Sequence, residues 1–484
     1  MAPRHRRPED SELPVKLGPC SNGEYIPPPP SELVQEVWRR AREACDANAR
    51  RTGMSRRQFL MSTCGAATVL SVLAACAREQ GRGGGGGTFA VPPEATTEPD
   101  AAREALGGDE LIVDVQGHLL EYDLDQPVPD RWFGAGFPQA GCGEDDPRAC
   151  FTTEHFVAEV FGRSDTAVAV LSAVPVAGPN SPLTAAHMDL ARRQAERLCG
   201  DGRVLIQGHA LPSAGPPEAA LAAMADVADR YPVAAWKVYT HAAGPGWYLD
   251  DHDPAAPQVG QAFVTQALDL GIPIISVHKG LSGGSRFASP VDVGPAARAH
   301  PGARFVVYHS GYEAGRREGP YTEATRDVGA NRLVATVLDN GLGPGGNVYA
   351  ELGTTWRSVM GAPEEAAHLL GKLLRHLGED NVVWGTDSIW YGSPQDQIQA
   401  FRAFEISEEL QERHGYPALT PGLKAKVFGA NAARLYGIDP TAVPCRLSAA
   451  EREELRLSLP GGKPYLRPRT PAQVRSHQAR HGWV

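Results

Sequence analysis

The sequence predicts an α/β protein built on a (β/α)8 barrel, with an N-terminal extension before the barrel and a helical closure after it. Three observations carry this reading. From Leu111 onward, strand-like runs recur at Leu111–Gly117, Ala167–Val174, Arg203–Ala210, Val233–Tyr239, Ile272–Val277, Arg304–Tyr308, Asn347–Leu352 and Asn381–Gly385. Helical patterns at Thr184–Leu198, Pro217–Arg230, Val259–Leu270, Ala324–Asn340 and Pro363–Leu377 lie between them, which is the order of a barrel of about 250 residues with insertions. Polar residues then gather at the strands' C-terminal ends, where such a barrel places its site: Gln116, His118, His209, Lys237, His278, His309, Glu351 and Asp387. An open doubly wound sheet is the competing architecture, but no Gly-rich nucleotide loop follows the first strand.

The first strand sets the pattern. Leu111-Ile-Val-Asp-Val-Gln-Gly-His118 starts apolar and ends in polar residues at alternate positions, which period-2 geometry puts on one face. After the last strand, Pro394–His414 is expected as one long helix and Leu423–Gly437 as a final amphipathic helix closing the barrel. The resulting division is 1–54 extension, 55–76 signal, 77–108 linker, 109–440 barrel and 441–484 tail. The tail is charged and Pro-rich.

In the extension, Leu33, Val34, Val37 and Trp38 predict a short helix in an otherwise mobile stretch. Ser55-Arg-Arg-Gln-Phe-Leu60 resembles a twin-arginine export signal, and Leu73-Ala-Ala-Cys76 resembles a lipobox. The stretch between them is short of the roughly 20 apolar residues that span a bilayer. Together the motifs predict export by a twin-arginine route and a lipid anchor at Cys76, the only link to a membrane, on the outer side of the cytoplasmic membrane. Gly83 to Pro99 then has the composition of a tether. Met54, directly before the arginines, is an alternative start to Met1.

Charge and cysteines narrow the function. A net charge of −10 over 484 residues argues against nucleic-acid binding, which needs a basic face. With 42% hydrophobic residues the chain can bury a large core, so small-molecule chemistry is the default. Cys142 and Cys150 flank a Gly, Asp and Pro-containing loop; a disulfide and two separate thiols are both open there. No Cys-x-x-Cys pair exists, against a zinc ribbon. The sequence leaves the oligomeric state open.

Asp114-x-Gln116-x-His118 on the first strand, His278 and His309 ending strands five and six, Gly385-Thr-Asp387 ending strand eight, and the terminal Phe428-Gly-Ala-Asn-Ala-Ala-Arg-Leu-Tyr436 together resemble the amidohydrolase-related family of metal-dependent hydrolases. The resemblance spans about residues 110 to 438. It implies a divalent metal, zinc or else manganese, held by His118, His278 and Asp387. The family's other first-strand ligand falls on Gln116, where this chain departs from the pattern. An amide oxygen is a weaker ligand than an imidazole nitrogen. The resemblance further implies that the metal activates a water, that Asp387 accepts its proton, and that His309 orients the water or stabilises the oxyanion. Lys237 and Glu351 are candidates for binding substrate. The activity implied is hydrolysis of a C–N or C–O bond in a small organic molecule. Decarboxylation of an aromatic acid on the same site and a metal-free ligand-binding barrel are the alternatives. His209 and His241 read as structural, as does any single one of Trp236, Trp247, Trp356, Trp384 and Trp390.

Overall fold

The computed structural model describes residues 13–21, 23–80, 86–178, 181–199 and 201–442, together with Glu451 and Glu454. The expected C-terminal tail therefore lies almost wholly outside the described residues, as do Gly83 to Gly85. At the centre are eight parallel strands: β1 (Val113–Gly117), β2 (Val168–Leu171), β3 (Val204–His209), β4 (Val233–Tyr239), β5 (Ile274–His278), β6 (Arg304–Tyr308), β7 (Val348–Glu351) and β8 (Val382–Val383). Each pairs with the next in chain order. The cylinder closes between first and last, where Val115 N donates to Trp384 O at 3.0 Å and Gly117 bridges Ser388 in parallel. Register carries the site: His278 pairs with Tyr239 on one side and Tyr308 on the other, so the β4, β5 and β6 ends lie level.

Strands covered on both faces need largely apolar text, and β2, Val-Ala-Val-Leu, is buried at every residue. The intervening helices Ala185–Cys199, Pro217–Arg230, Gly260–Asp269 and Pro363–His376 follow the sequence pattern closely. The fourth expected helix begins later, at Asn331, because Thr322 and Thr325 close a capping box over a short 3-10 turn and Gly329 turns left-handed at φ +54°.

The expected long helix over Pro394–His414 is three pieces: helix Gln395–Ala403, strand Phe404–Ile406 and helix Glu408–His414. Phe404 and Ile406 are buried while Glu405 is exposed, a period-2 stretch inside a helical run. It pairs antiparallel with Gly87–Phe89, Phe89 opposite Phe404. Tertiary pairing overrides local propensity here. The closing helix is also interrupted, with Pro421–Ala425 and Asn431–Tyr436 joined by a wide π turn at Lys426–Ala430. Gly429 allows close approach to the barrel, since a Cβ there would stand 2.0 Å from the Leu111 carbonyl oxygen. Asn431 Nδ2 then donates to Val382 O at 2.8 Å, tying the helix to β8.

The N-terminal region departs most from expectation. Instead of a short helix, α1 (Glu32–Arg51) runs for 20 residues, capped by Ser31, whose Oγ accepts from Val34 N. The arginine pair opens α2 (Arg56–Met61), where Ser55 and Gln58 form a capping box and Arg56 Nε bonds Asp46 Oδ1 at 2.8 Å. The helix α3 (Thr63–Glu79) carries the lipobox-like text, with Cys76 only 1% exposed. Val37, Val69, Leu70 and Leu73 from α1 and α3 are fully buried. At about 1.5–3 kcal/mol for each buried side chain, this is a substantial part of the core. The expected tether is likewise structured from residue 86 on, with the strand Gly87–Phe89 and the helix α4 (Pro99–Leu106), which buries Ala102 and Leu106. Among the described residues no helix is long and apolar enough to cross a membrane.

Candidate metal centre at the barrel mouth

The β1 end delivers Gln116 and His118, and the turn after β8 delivers Asp387. Asp387 Oδ1 lies 2.9 Å from Gln116 Nε2 and 3.2 Å from His118 Nε2. Its other oxygen accepts from Thr354 Oγ1 at 2.5 Å, and Thr354 in turn accepts from Tyr391 Oη at 3.0 Å. Burial alone would raise the Asp387 carboxyl. With a proton on His118 Nε2, the hydrogen bond and charge of His118, together with His309 and the Thr354 hydroxyl, outweigh it and hold the group below the usual carboxylate range.

Backbone carbonyls fix two of the imidazoles. His118 Nδ1 lies 2.7 Å from Ser172 O and His309 Nδ1 lies 2.8 Å from Gly353 O. A carbonyl only accepts, so Nδ1 carries the proton in each ring and a neutral ring turns the Nε2 lone pair to the site. Burial also holds His278 and His309 below the ordinary histidine value, in the neutral form that ligates metals. His309, Thr354 and Asp387 all have left-handed backbones, φ between 57° and 64°. Non-glycine residues hold such conformations only where the surroundings enforce them. At His309 the enforcement comes from Glu351, which accepts from His309 N at 3.0 Å and Gly353 N at 2.5 Å. Glu351, expected to bind substrate, is thus a buried brace with both oxygens engaged by backbone amides.

The five expected ligand and catalytic side chains split into two adjoining sets. Asp387 contacts both His118 and Gln116, and Gln116 Nε2 lies 3.5 Å from His309 Nε2. His278 instead joins His309 and a residue that sequence reasoning missed, Glu24. One donor atom from each of these three lies within 4.8 Å of the other two. Donors at that spacing fit a divalent ion, as does His118 Nε2 facing a carboxylate oxygen, lone pair to lone pair. Buried Gln116 Oε1 and His278 Nδ1 have no hydrogen-bond partner among the described residues, leaving further donors in hand.

Lys237 ends on the barrel interior with its ammonium 3.7 Å from the Tyr308 ring centroid and 4.5 Å from that of Tyr239. It is fully buried, its Nζ has no hydrogen-bond partner among the described residues, and burial lowers its pKa to about 7. His241, read as structural, stands at the site, its Nε2 3.0 Å from Ser282 Oγ, which contacts His278 Nε2 at the same distance. One tryptophan reaches the site: Trp390 stacks on His118 at 4.9 Å and 14°, backed by Phe137 and Phe151. The loop between those phenylalanines is closed by a Cys142–Cys150 disulfide. The other four tryptophans are core.

A closed parallel barrel with imidazoles and a buried carboxylate gathered at its C-terminal strand ends has the build of a metal-dependent barrel enzyme. The chain belongs to the amidohydrolase family, whose model matches residues 113–438 and whose members are metal-dependent enzymes. Among solved structures it is similar to an uncharacterised TIM-barrel protein from Bordetella bronchiseptica, at 12% identity over 68% of this chain and 98% of that one, TM-score 0.44. It is also similar to a 2,6-dihydroxybenzoate decarboxylase in complex with 2,6-dihydroxybenzoate, at 13% identity over 68% and 99%, TM-score 0.41. A third is a manganese-bound dihydroxybenzoic acid decarboxylase from Polaromonas, at 14% over 68% and 97%, TM-score 0.37. No curated protein matches the chain.

Proposed function

We propose that the protein is a metal-dependent hydrolase acting on a C–N or C–O bond of a small organic substrate. The observation that carries this is the buried carboxyl of Asp387 3.2 Å from His118 Nε2, with the Nδ1 atoms of His118 and His309 both turned to backbone carbonyls. The residues that would hold a divalent ion, zinc or manganese, are His118, His278, Asp387 and His309, with Gln116 Oε1 as a weaker oxygen donor. When bound, the ion supplies a Lewis acid and a water of lowered pKa. Asp387 would accept a proton on the oxygen facing His118, while Thr354 fixes the other oxygen. His309, clamped by Glu351 and Gly353, keeps its orientation without reorganising as charge develops. Lys237, whose buried Nζ has no hydrogen-bond partner among the described residues, is suited in its protonated form to an anionic substrate group.

A second reading, decarboxylation of an aromatic acid, is favoured by the aromatic wall of Trp390, Phe137 and Phe151 beside His118. Incubating the metal-loaded full chain with esters, amides, lactones and aromatic acids tests both. Ester, amide or lactone turnover supports the first reading and CO2 release the second, whereas ligand binding without turnover supports a non-catalytic barrel.

Export by a twin-arginine route is a separate proposal, supported by Ser55–Leu60 and Leu73–Cys76 alone. Lipidation at Cys76 requires cleavage before it, and the burial of α1 and α3 in the core favours the uncleaved chain. The mass of the chain isolated from its host decides between them.

A further inference from the structure

Glu24 reaches the barrel mouth on a strap described from Leu13 on. Leu13, Val15 and Leu17 are buried at alternate positions, and Lys16 between them pins the strap to the loop after β8. Its Nζ donates to Tyr391 O and Ser393 O, both at 2.9 Å, and its backbone N to Asp396 Oδ2 at 2.9 Å. Arg357 Nη2 holds Gly18 O at 2.9 Å. The tip is a folded turn: Ser21 Oγ donates to Tyr25 O at 2.6 Å and accepts from Gly23 N at 2.9 Å, and Tyr25 Oη donates to Cys20 O at 2.6 Å. Gly23 is left-handed at φ +98°, and a Cβ there would stand 3.1 Å from Phe137, so the turn needs glycine.

This turn aims Glu24 inward. Its carboxylate is 13% exposed, with Oε2 3.0 Å from His278 Nε2 and 3.5 Å from Ser282 Oγ. It is the only carboxylate in the cluster it forms with His278 and His309. A carboxylate and two imidazoles form a donor set suited to a divalent ion. On the barrel side the corresponding first-strand position offers only the amide of Gln116. We propose that Glu24 is a ligand-supplying residue of the metal centre beside His278 and His309, adding a charged oxygen donor to a site where Gln116 offers only an amide, and that the strap that carries it is therefore a working part of the enzyme. The proposal rests on the metal-dependent reading above. It is incompatible with removal of the chain before Cys76, which would discard Glu24.

The test is the affinity of the purified full chain for Mn2+ and for Zn2+, by equilibrium dialysis and by the rise in melting temperature on adding each ion. Wild type is compared with Glu24→Gln, Glu24→Asp, His278→Ala and the double variant Glu24→Gln/Gln116→His. Glu24→Gln is expected to weaken binding by about tenfold or more with the metal-free melting temperature unchanged, and Gln116→His to recover part of that loss. If Glu24→Gln does not fold, Glu24→Asp, which keeps the charge but shortens the reach, reads the same quantity. Wild-type affinity in the Glu24 variants alongside lost binding in His278→Ala would overturn the proposal and leave the metal-dependent reading standing. Tighter binding or faster turnover in Glu24→Gln would make Glu24 a plug and overturn it too. No binding of either ion by wild type would end both.

Discussion

His118 Nε2 and Asp387 Oδ1 face each other at 3.2 Å although the hydrogen bond from His118 Nδ1 to Ser172 O gives both atoms lone pairs in the neutral state. A cation or a proton must stand between them, and the proposed chemistry takes place at that point. Asp387→Asn removes the proton acceptor but keeps the shape, and its amide can donate to His118 Nε2. Turnover is expected to fall by about a hundredfold or more, with cooperative unfolding retained. An unchanged kcat would remove Asp387 from the mechanism.

Gln116 stands between the two sets of site residues, bonded to Asp387 and 3.5 Å from His309. Gln116→His replaces an amide with an imidazole at the same strand end. Metal affinity measured by dialysis is expected to rise about tenfold. No change would place the side chain away from the ion.

His209 illustrates how burial sets acid stability. Its Nε2 is enclosed without a partner, and burial, with Lys237 nearby, lowers its pKa from 6.5 to about 3. Above pH 6.5 both folded and unfolded states hold it neutral and it contributes no pH dependence. Between pH 6.5 and 3 the unfolded chain binds the proton and the folded chain does not, so stability falls with pH. His209→Leu should therefore unfold less readily than wild type at pH 4.5, by about 2–3 kcal/mol after subtracting the difference at pH 7.5. Urea denaturation at the two pH values measures this; equal pH dependence in both proteins would contradict it.

The disulfide acts on the aromatic wall. Cys142 and Cys150 close a loop of sequence separation 8 that is flanked by Phe137 and Phe151, both packed on Trp390. Cys142→Ser is expected to lower stability by about 2–3 kcal/mol. It should also raise KM more than it lowers kcat, because Trp390 loses its backing while Asp387 does not move. A KM indistinguishable from wild type would separate the loop from the pocket.

The barrel is legible in the sequence because parallel strands covered on both faces must be largely apolar runs, and those runs end in polar residues at the level where the site lies. His118, His309 and Asp387 are reachable by that route, and Lys237 with them. Glu351 is not, because the sequence shows a carboxylate at a strand end but not the His309 and Gly353 amides that occupy it. Glu24 escapes because Pro-rich, charged text predicts a mobile extension. The alternation of Leu13, Val15 and Leu17 is the available signal, since a free tail has no use for a buried face. The strand Phe404–Ile406 is hidden in a helical run, its partner more than 300 residues earlier in the chain.

All of the proposed chemistry depends on side chains from β1, β5, β6 and the turn after β8 holding a divalent ion. The most direct measurement is elemental analysis of the purified full chain after reconstitution with Zn2+ or Mn2+ and dialysis, beside His278→Ala. About one equivalent per chain is expected in wild type, and its loss in the variant. Less than about a tenth of an equivalent in wild type with either ion would contradict a metal centre at this barrel mouth.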